Sequence, residues 1–353
     1  VNIDIPDTMT AAVLHAPRDF RLEDVPVPTP SPDQALVRVT VNGICGSDLH
    51  FFERGELGPF RVTRPYIPGH EAAGIVARPA ASGLGPPAGT RVAVEPGIPC
   101  RRCPRCKSGR YNLCPHVRFL SCPPEDGTFA PFVAIEADFA HPIPHALSDE
   151  AAAFVEPVSV ALQACLRAGV RAGDSALVLG AGPIGLLTLL VARAFGATPL
   201  YISDVLPRRL ELARSLGADH TLDAADPDLP GTLEELTGGD LPRHVLDASG
   251  ASAAAALAPR LAGRGAVLTL IGWPDTSPVP FPLEVVLERE LDVRGVNRYS
   301  NTYPRAIALL AAGRIPTDPL VSHRFPFARV VEAFRFAAAN RDQTVKVLVS
   351  EPA

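Results

Sequence analysis

The sequence predicts two domains of different class: a mainly-β N-terminal domain, and an α/β domain built on a doubly wound parallel sheet. Three observations carry that expectation. The length, 353 residues, favours two domains at roughly 100–200 residues each. Near residue 150 the texture changes from short strands punctuated by Pro and Gly to strands alternating with helices. The turn Gly180-Ala-Gly182-Pro183-Ile184-Gly185 follows an apolar run and opens a helical one.

From Met9 to about Phe139 the strand pattern shows at Ala35–Val41, Gly89–Val94 and Phe129–Ile135, each bounded by turn residues. A helical apolar period then runs across Ala151–Ala168. The strand Ser175–Leu179 and the helix Leu186–Phe195 follow, and further strands are expected at Leu200–Ser203, His220–Leu222, His244–Leu246, Ala266–Ile271 and Leu291–Val296. Short apolar strands alternating with helices such as Arg208–Leu216, which Gly217 would cap, are the mark of βαβ units. The tail adds helices at Tyr303–Ala312 and Phe327–Asn340 and the strand Thr344–Val349, too little for a domain of its own. The expected division is therefore 1–155 with 297–353 packing back onto it, and 156–296 as the nucleotide-binding domain.

Composition removes several classes. Hydrophobic residues make up 47% and charged ones 20%, and 38 prolines with 28 glycines stay below the roughly 25–30% typical of disordered low-complexity chains. A net charge of −5 gives no pull toward nucleic acid or an anionic membrane. Ala176–Ala192 is apolar but short and interrupted by glycine and proline, so no membrane span is expected. Val1–Thr10 carries two acids and a proline where an export signal needs basic residues before an apolar run, so the expected location is cytoplasmic.

The glycine turn demands a physical reading. Gly180 makes a tight turn, Gly182 lets the backbone approach a pyrophosphate, and Gly185 lets helix pack on strand, with Pro183 and Ile184 between them at the helix N-terminus. Asp204, at the end of the next strand, would accept from adenosine ribose hydroxyls and repel a 2′-phosphate, so this Rossmann-type fingerprint favours NAD. Arg208 and Arg209 pull toward a phosphate, but Asp204 holds the position that would clash.

Seven cysteines, an odd number, point to metal rather than disulfides. Cys100, Cys103, Cys106 and Cys114 supply four thiolates at the spacing of a closed structural zinc site. A nucleic-acid module is the alternative, prompted by Arg101, Arg102, Arg105, Lys107, Arg110 and Arg118, but neither a recognition helix nor an aromatic platform accompanies them. Cys45, His70 and Glu71 offer a thiolate, an imidazole and a carboxylate, which suits a catalytic zinc with one open position. Glu156 is an acid in an apolar stretch, costly unless partnered by a metal or its water.

At Cys45-Gly-Ser47-Asp-Leu-His50, Gly69-His70-Glu71, Val94-Glu95-Pro96-Gly97, Gly109-Arg-Tyr-Asn112, Phe154-Val-Glu156-Pro157, the glycine fingerprint and Arg298-Tyr299-Ser-Asn301-Thr302, the chain resembles the medium-chain zinc-dependent alcohol dehydrogenase superfamily. Within it, the sorbitol and related polyol dehydrogenases are most alike. The likeness implies a GroES-like catalytic domain, with the active site in the cleft against the nucleotide domain. It also implies zinc ligands Cys45, His70 and Glu71 with a water that Glu156 bonds, and leaves open which of Glu71 and Glu156 is the inner carboxylate. Ser47 and His50 would pass the alcohol proton to solvent, while Phe51, Phe119, Arg298 and Tyr299 would line the polyol site. Two features depart from the polyol subgroup: some of its members lack the four-cysteine lobe, and Phe51 and Asn297 stand where close relatives carry tyrosine and phenylalanine.

The expected function is zinc-dependent hydride transfer from a secondary hydroxyl of a sorbitol- or xylitol-like polyol to NAD, giving a ketose, in a homotetramer with no nucleic-acid or membrane partner. The alternatives are an L-threonine or 2,3-butanediol dehydrogenase, and a non-catalytic nucleotide-binding protein.

Overall fold

The computed structural model of the chain describes residues 3–351. It divides into two compact units, one holding the chain through Glu156 and everything from Tyr303 onward, the other Pro157–Thr302. The return thus lies at Tyr303 rather than 297. Arg298 and Asn301 turn with φ of 54° and 58° before the helix Tyr303–Ala311 begins, and Tyr303 ties into the first unit by donating to Val94 O at 2.8 Å.

In the first unit the alternating stretch around Ala35–Val41 becomes the strand Gln34–Gly43, the spine of a seven-stranded sheet. Across the sheet run Ala140–Pro142, Arg91–Val94, Glu71–Arg78, Gln34–Gly43, Lys346–Ser350 and Val321–Pro326, with Phe132–Glu136 also pairing with the spine. The period of two is visible in the packing. Leu36 joins a core with Phe20, Phe52, Tyr66, Phe129 and Phe334, whereas Ala35, Val37 and Val39 join one with Val76, Val92, Val94 and Ile135. The strand expected from Phe129 starts only at Phe132, since Pro131 cannot donate to a ladder.

The helix expected over Ala151–Ala168 is two, Asp149–Ala153 and Val155–Ala168. Pro157 has no N–H to give the Ala153 carbonyl, and proline is tolerated only in a first turn, so the helix restarts before it.

The second unit carries a six-stranded parallel sheet in the order His220–Asp223, Leu200–Asp204, Ala176–Leu179, His244–Asp247, Val267–Leu270, Asp292–Gly295. Counted within the unit this is 3-2-1-4-5-6, the doubly wound order whose reversal lies beside the first strand. Ala176–Leu179 is buried on both faces, as the apolar run requires. Among the described residues no helix is long and apolar enough to cross a membrane. The apolar stretch after Ala176 is instead this strand and the helix Pro183–Ala194.

Candidate active site and metal centres

Cys45 has an extended backbone (φ −88°, ψ 155°) and caps the helix Gly46–Arg54. Asp48, at the third helical position, folds back and accepts from Cys45 N at 3.0 Å, one half of a capping box. This carboxylate is fully buried, and its other oxygen accepts from Ser121 Oγ at 2.6 Å and from Gly69 N at 3.3 Å and lies 3.5 Å from His70 Nδ1. One side chain therefore ties together three segments that are distant in sequence. Burial would raise the Asp48 carboxyl, but the His70 charge and hydrogen bonds from His70, Ser121 and Cys45 hold it below the ordinary value. Burial likewise opposes charge on His70, yet Asp48 and Cys45 overcome it and push the ring well above its usual range. Negative groups thus converge on this spot, which is where a cation belongs.

The ligand atoms of Cys45, His70 and Glu71 lie within 4.8 Å of one another. A tetrahedral zinc with ligands at about 2.0–2.3 Å spans such a set with small adjustments, and three protein ligands leave one position open. Glu156 is buried in the first turn of Val155–Ala168 but stands outside this group. Ser47 and His50 are half-buried one turn apart on the helix that Cys45 caps. The Phe119 ring lies 5.6 Å from that of His70. Phe51 is buried edge-on to Tyr66 in the first unit's core.

The four-cysteine lobe is compact. Cys103 caps the short helix Pro104–Lys107 and accepts from Cys106 N, while Cys114 Sγ accepts from Cys100 N and His116 N, both at 3.4 Å. Cys103 and Cys106 sulfurs are 3.4 Å apart and Cys100 and Cys106 sulfurs 4.0 Å, bracketing the roughly 3.8 Å that a tetrahedron of 2.3 Å zinc–sulfur bonds requires. Backbone N–H groups of Arg102 and Cys103 pull the Cys100 thiol down to about 6, toward the thiolate a metal needs. Buried Glu95 anchors the lobe, accepting from Tyr111 Oη at 2.6 Å while its other oxygen meets His141 Nε2 at 2.7 Å. Arg101 forms a two-bond pair with Asp138.

In the second unit Gly182 caps the helix Pro183–Ala194, with Pro183 at its first position and Ile184 next. A Cβ on Gly185 would fall 1.8 Å from Gly180 O, so only glycine allows this close approach. Asp204 accepts from Ala181 N at 2.7 Å and from Leu206 N at 2.9 Å, and Arg209 Nη1 lies 3.8 Å from it. Each carboxylate oxygen keeps a lone pair for a ribose hydroxyl. Arg298 is half-buried and Tyr299 buried in the turn after the edge strand Asp292–Gly295.

No sequence motif marks the roles of Asp48, Ser121, Gly43 or Lys346. Lys346 is buried and its Nζ lies 2.6 and 2.7 Å from the two Glu71 oxygens. Breaking such a pair from one side costs about 3–5 kcal/mol. The available signals were an acid three residues after Cys45 and a lone lysine inside an apolar strand.

Comparison with known proteins agrees with this architecture. Residues 31–145 match the alcohol dehydrogenase GroES-like domain and residues 183–312 the zinc-binding dehydrogenase domain. The chain is 38% identical to the sorbitol dehydrogenase of Bacillus subtilis over 98% of both chains. Among solved structures, L-idonate 5-dehydrogenase from Escherichia coli aligns with a TM-score of 0.90 at 28% identity, covering 97% of this chain and 98% of that one. The 2R,3R-butanediol dehydrogenase from Bacillus subtilis aligns with a TM-score of 0.88 at 28% identity, covering 98% and 100%. A chain with both metal clusters, the glycine fingerprint and near-complete coverage by such relatives belongs to the medium-chain zinc-dependent alcohol dehydrogenases, on their sorbitol dehydrogenase side.

Proposed function

We propose that the protein oxidises a secondary hydroxyl of a sorbitol- or xylitol-like polyol to the ketose, with NAD as acceptor. The observation that carries this reading is the convergence of Cys45, His70 and Glu71 in one buried site held by Asp48. Zinc held there supplies a Lewis acid, and NAD held at the glycine turn supplies the hydride acceptor. Asp48 fixes the backbone of Cys45 and faces His70, so the ligand set is organised before any metal binds. Ser47 and His50 carry the alcohol proton outward. Burial, helped by Arg341 and Arg54, holds His50 below its ordinary value, so the ring is neutral near pH 7 and free to accept that proton. Glu156 would orient a water at the position that three protein ligands leave open on a bound zinc. Cys100, Cys103, Cys106 and Cys114 hold a second, structural zinc.

Asp204 selects NAD over NADP, with Arg209 beside it. The fixed donor fork of Arg298 suits vicinal hydroxyls, and Phe119 lies beside His70, whereas Phe51 and Tyr299 are each only 3% exposed and offer a ligand little surface. The homotetramer expected from the family resemblance stays part of this reading, and seven cysteines with no disulfide among the described residues suit the reducing cytoplasm.

The test is NADH absorbance with sorbitol, xylitol, ribitol, 2,3-butanediol, L-threonine and ethanol. Polyols should exceed ethanol in kcat/KM by about a hundredfold, the worth of two or three hydrogen bonds, and Arg298→Ala should erase most of that lead. Ethanol or threonine at the head of the ranking defeats the polyol reading. Because a butanediol dehydrogenase shares the fold closely, butanediol in first place would transfer the assignment to it.

A further inference from the structure

Lys346 is one of only two lysines in a chain with 33 basic residues, and it is buried. Its contacts span three neighbouring strands. Lys346–Ser350 pairs with Gln34–Gly43, which pairs with Glu71–Arg78, and Gly43 stands opposite Glu71. The ammonium reaches across the end of the middle strand to both Glu71 oxygens and to Ile44 O at 3.3 Å. Gly43 clears the way, since a Cβ there would come within 2.2 Å of Glu71 Oε2. A lysine has three donors, and here two serve the carboxylate and one a carbonyl, so its bonding is complete.

Glu71 is therefore supplied with a cation of its own while belonging to the cluster with Cys45 and His70. A carboxylate that already takes two charge-assisted hydrogen bonds has less electron density to offer a metal. We propose that Lys346 competes with zinc for the Glu71 carboxylate and so lowers the affinity of this site for its metal. The proposal rests on reading Cys45, His70 and Glu71 as a zinc site. Lys346 is a positioning residue, acting on the metal only through Glu71. It neutralises the carboxylate when no metal is bound, so the zinc-free site stays folded. Without the ammonium, Glu71 is a buried, unpartnered anion in the zinc-free protein, and zinc relieves it.

The experiment is competition for zinc between a chromogenic chelator and the full-length chain, with the four-thiolate zinc as internal reference. Lys346→Met should bind the non-lobe zinc at least tenfold more tightly than wild type, leave the lobe zinc unchanged, and melt at a lower temperature than wild type when that zinc is absent. Lys346→Gln, which keeps a donor but not the charge, should move the same way. An affinity that is unchanged or weaker overturns the proposal. So does failure of both variants to fold even with zinc present, because the metal should then satisfy Glu71 in place of the lysine. A wild-type chain holding a single zinc ends the metal reading, and the proposal with it. Two zincs in wild type with an unmoved affinity in Lys346→Met ends the proposal alone.

Discussion

In the lobe, four sulfurs come from the single run Cys100–Cys114, and backbone N–H groups of that run and of nearby His116 support them. At the other centre, Cys45 caps a helix, His70 and Glu71 enter a strand, and support comes from Asp48, Ser121 and Lys346, the last of these brought by the tail. The first is a local chelate that needs little from its scaffold beyond an anchor at Glu95 and Asp138. The second exists only when the sheet is assembled. Their chemistry follows the same division: four thiolates close a coordination shell, whereas a thiolate, an imidazole and a carboxylate leave a place for substrate.

Three substitutions press on this contrast. The largest effect should come from Cys45→Ala, which removes a ligand of the open centre and with it several kcal/mol of charge stabilisation in the transition state. Turnover should fall by about a thousandfold or more, while metal analysis still finds the lobe zinc. Loss of both metals would mean that the two centres do not stand apart. Asp48→Asn keeps the shape of the tie but drops its charge, and should weaken zinc at the open centre by about 10–100-fold with the lobe untouched. Equal weakening at both, read by chelator competition, would refute the division. The smallest effect belongs to Glu95→Ala, which strips the partners from Tyr111 and His141 and should cost about 1–3 kcal/mol in denaturant unfolding. It should leave KM for the polyol nearly unchanged. A large KM shift would show that lobe anchoring reaches the substrate site.

The same contrast explains what could be read from the sequence. The four-cysteine run and the glycine turn are contiguous, so their spacing alone states their geometry, and the parallel strands of the second unit were visible because each is a short apolar run ended by a turn. The ligands Cys45, His70 and Glu71 could be named, but what holds them could not. Asp48 looks like an ordinary helix-start acid, and Ser121 and Lys346 lie 73 and 298 positions from it along the chain. Their meeting depends on strand register, which no local pattern encodes. The break at Phe154 was legible in principle from Pro157, but the apolar period continues across it and masked the restart.

Synthesis order gives the sheet order a further meaning. The strand Lys346–Ser350 lies between Gln34–Gly43 and Val321–Pro326, yet the ribosome delivers it only after all of residues 157–302. Since domains tend to fold as they emerge, the dinucleotide unit can be finished while the earlier unit still has an open seam beside Gln34–Gly43. Glu71 then waits without its lysine partner until that seam closes. A nascent chain stalled before residue 346 should therefore present a formed nucleotide unit and a lobe able to take metal, beside an N-terminal sheet that quality-control proteases can still enter at its unpaired edge.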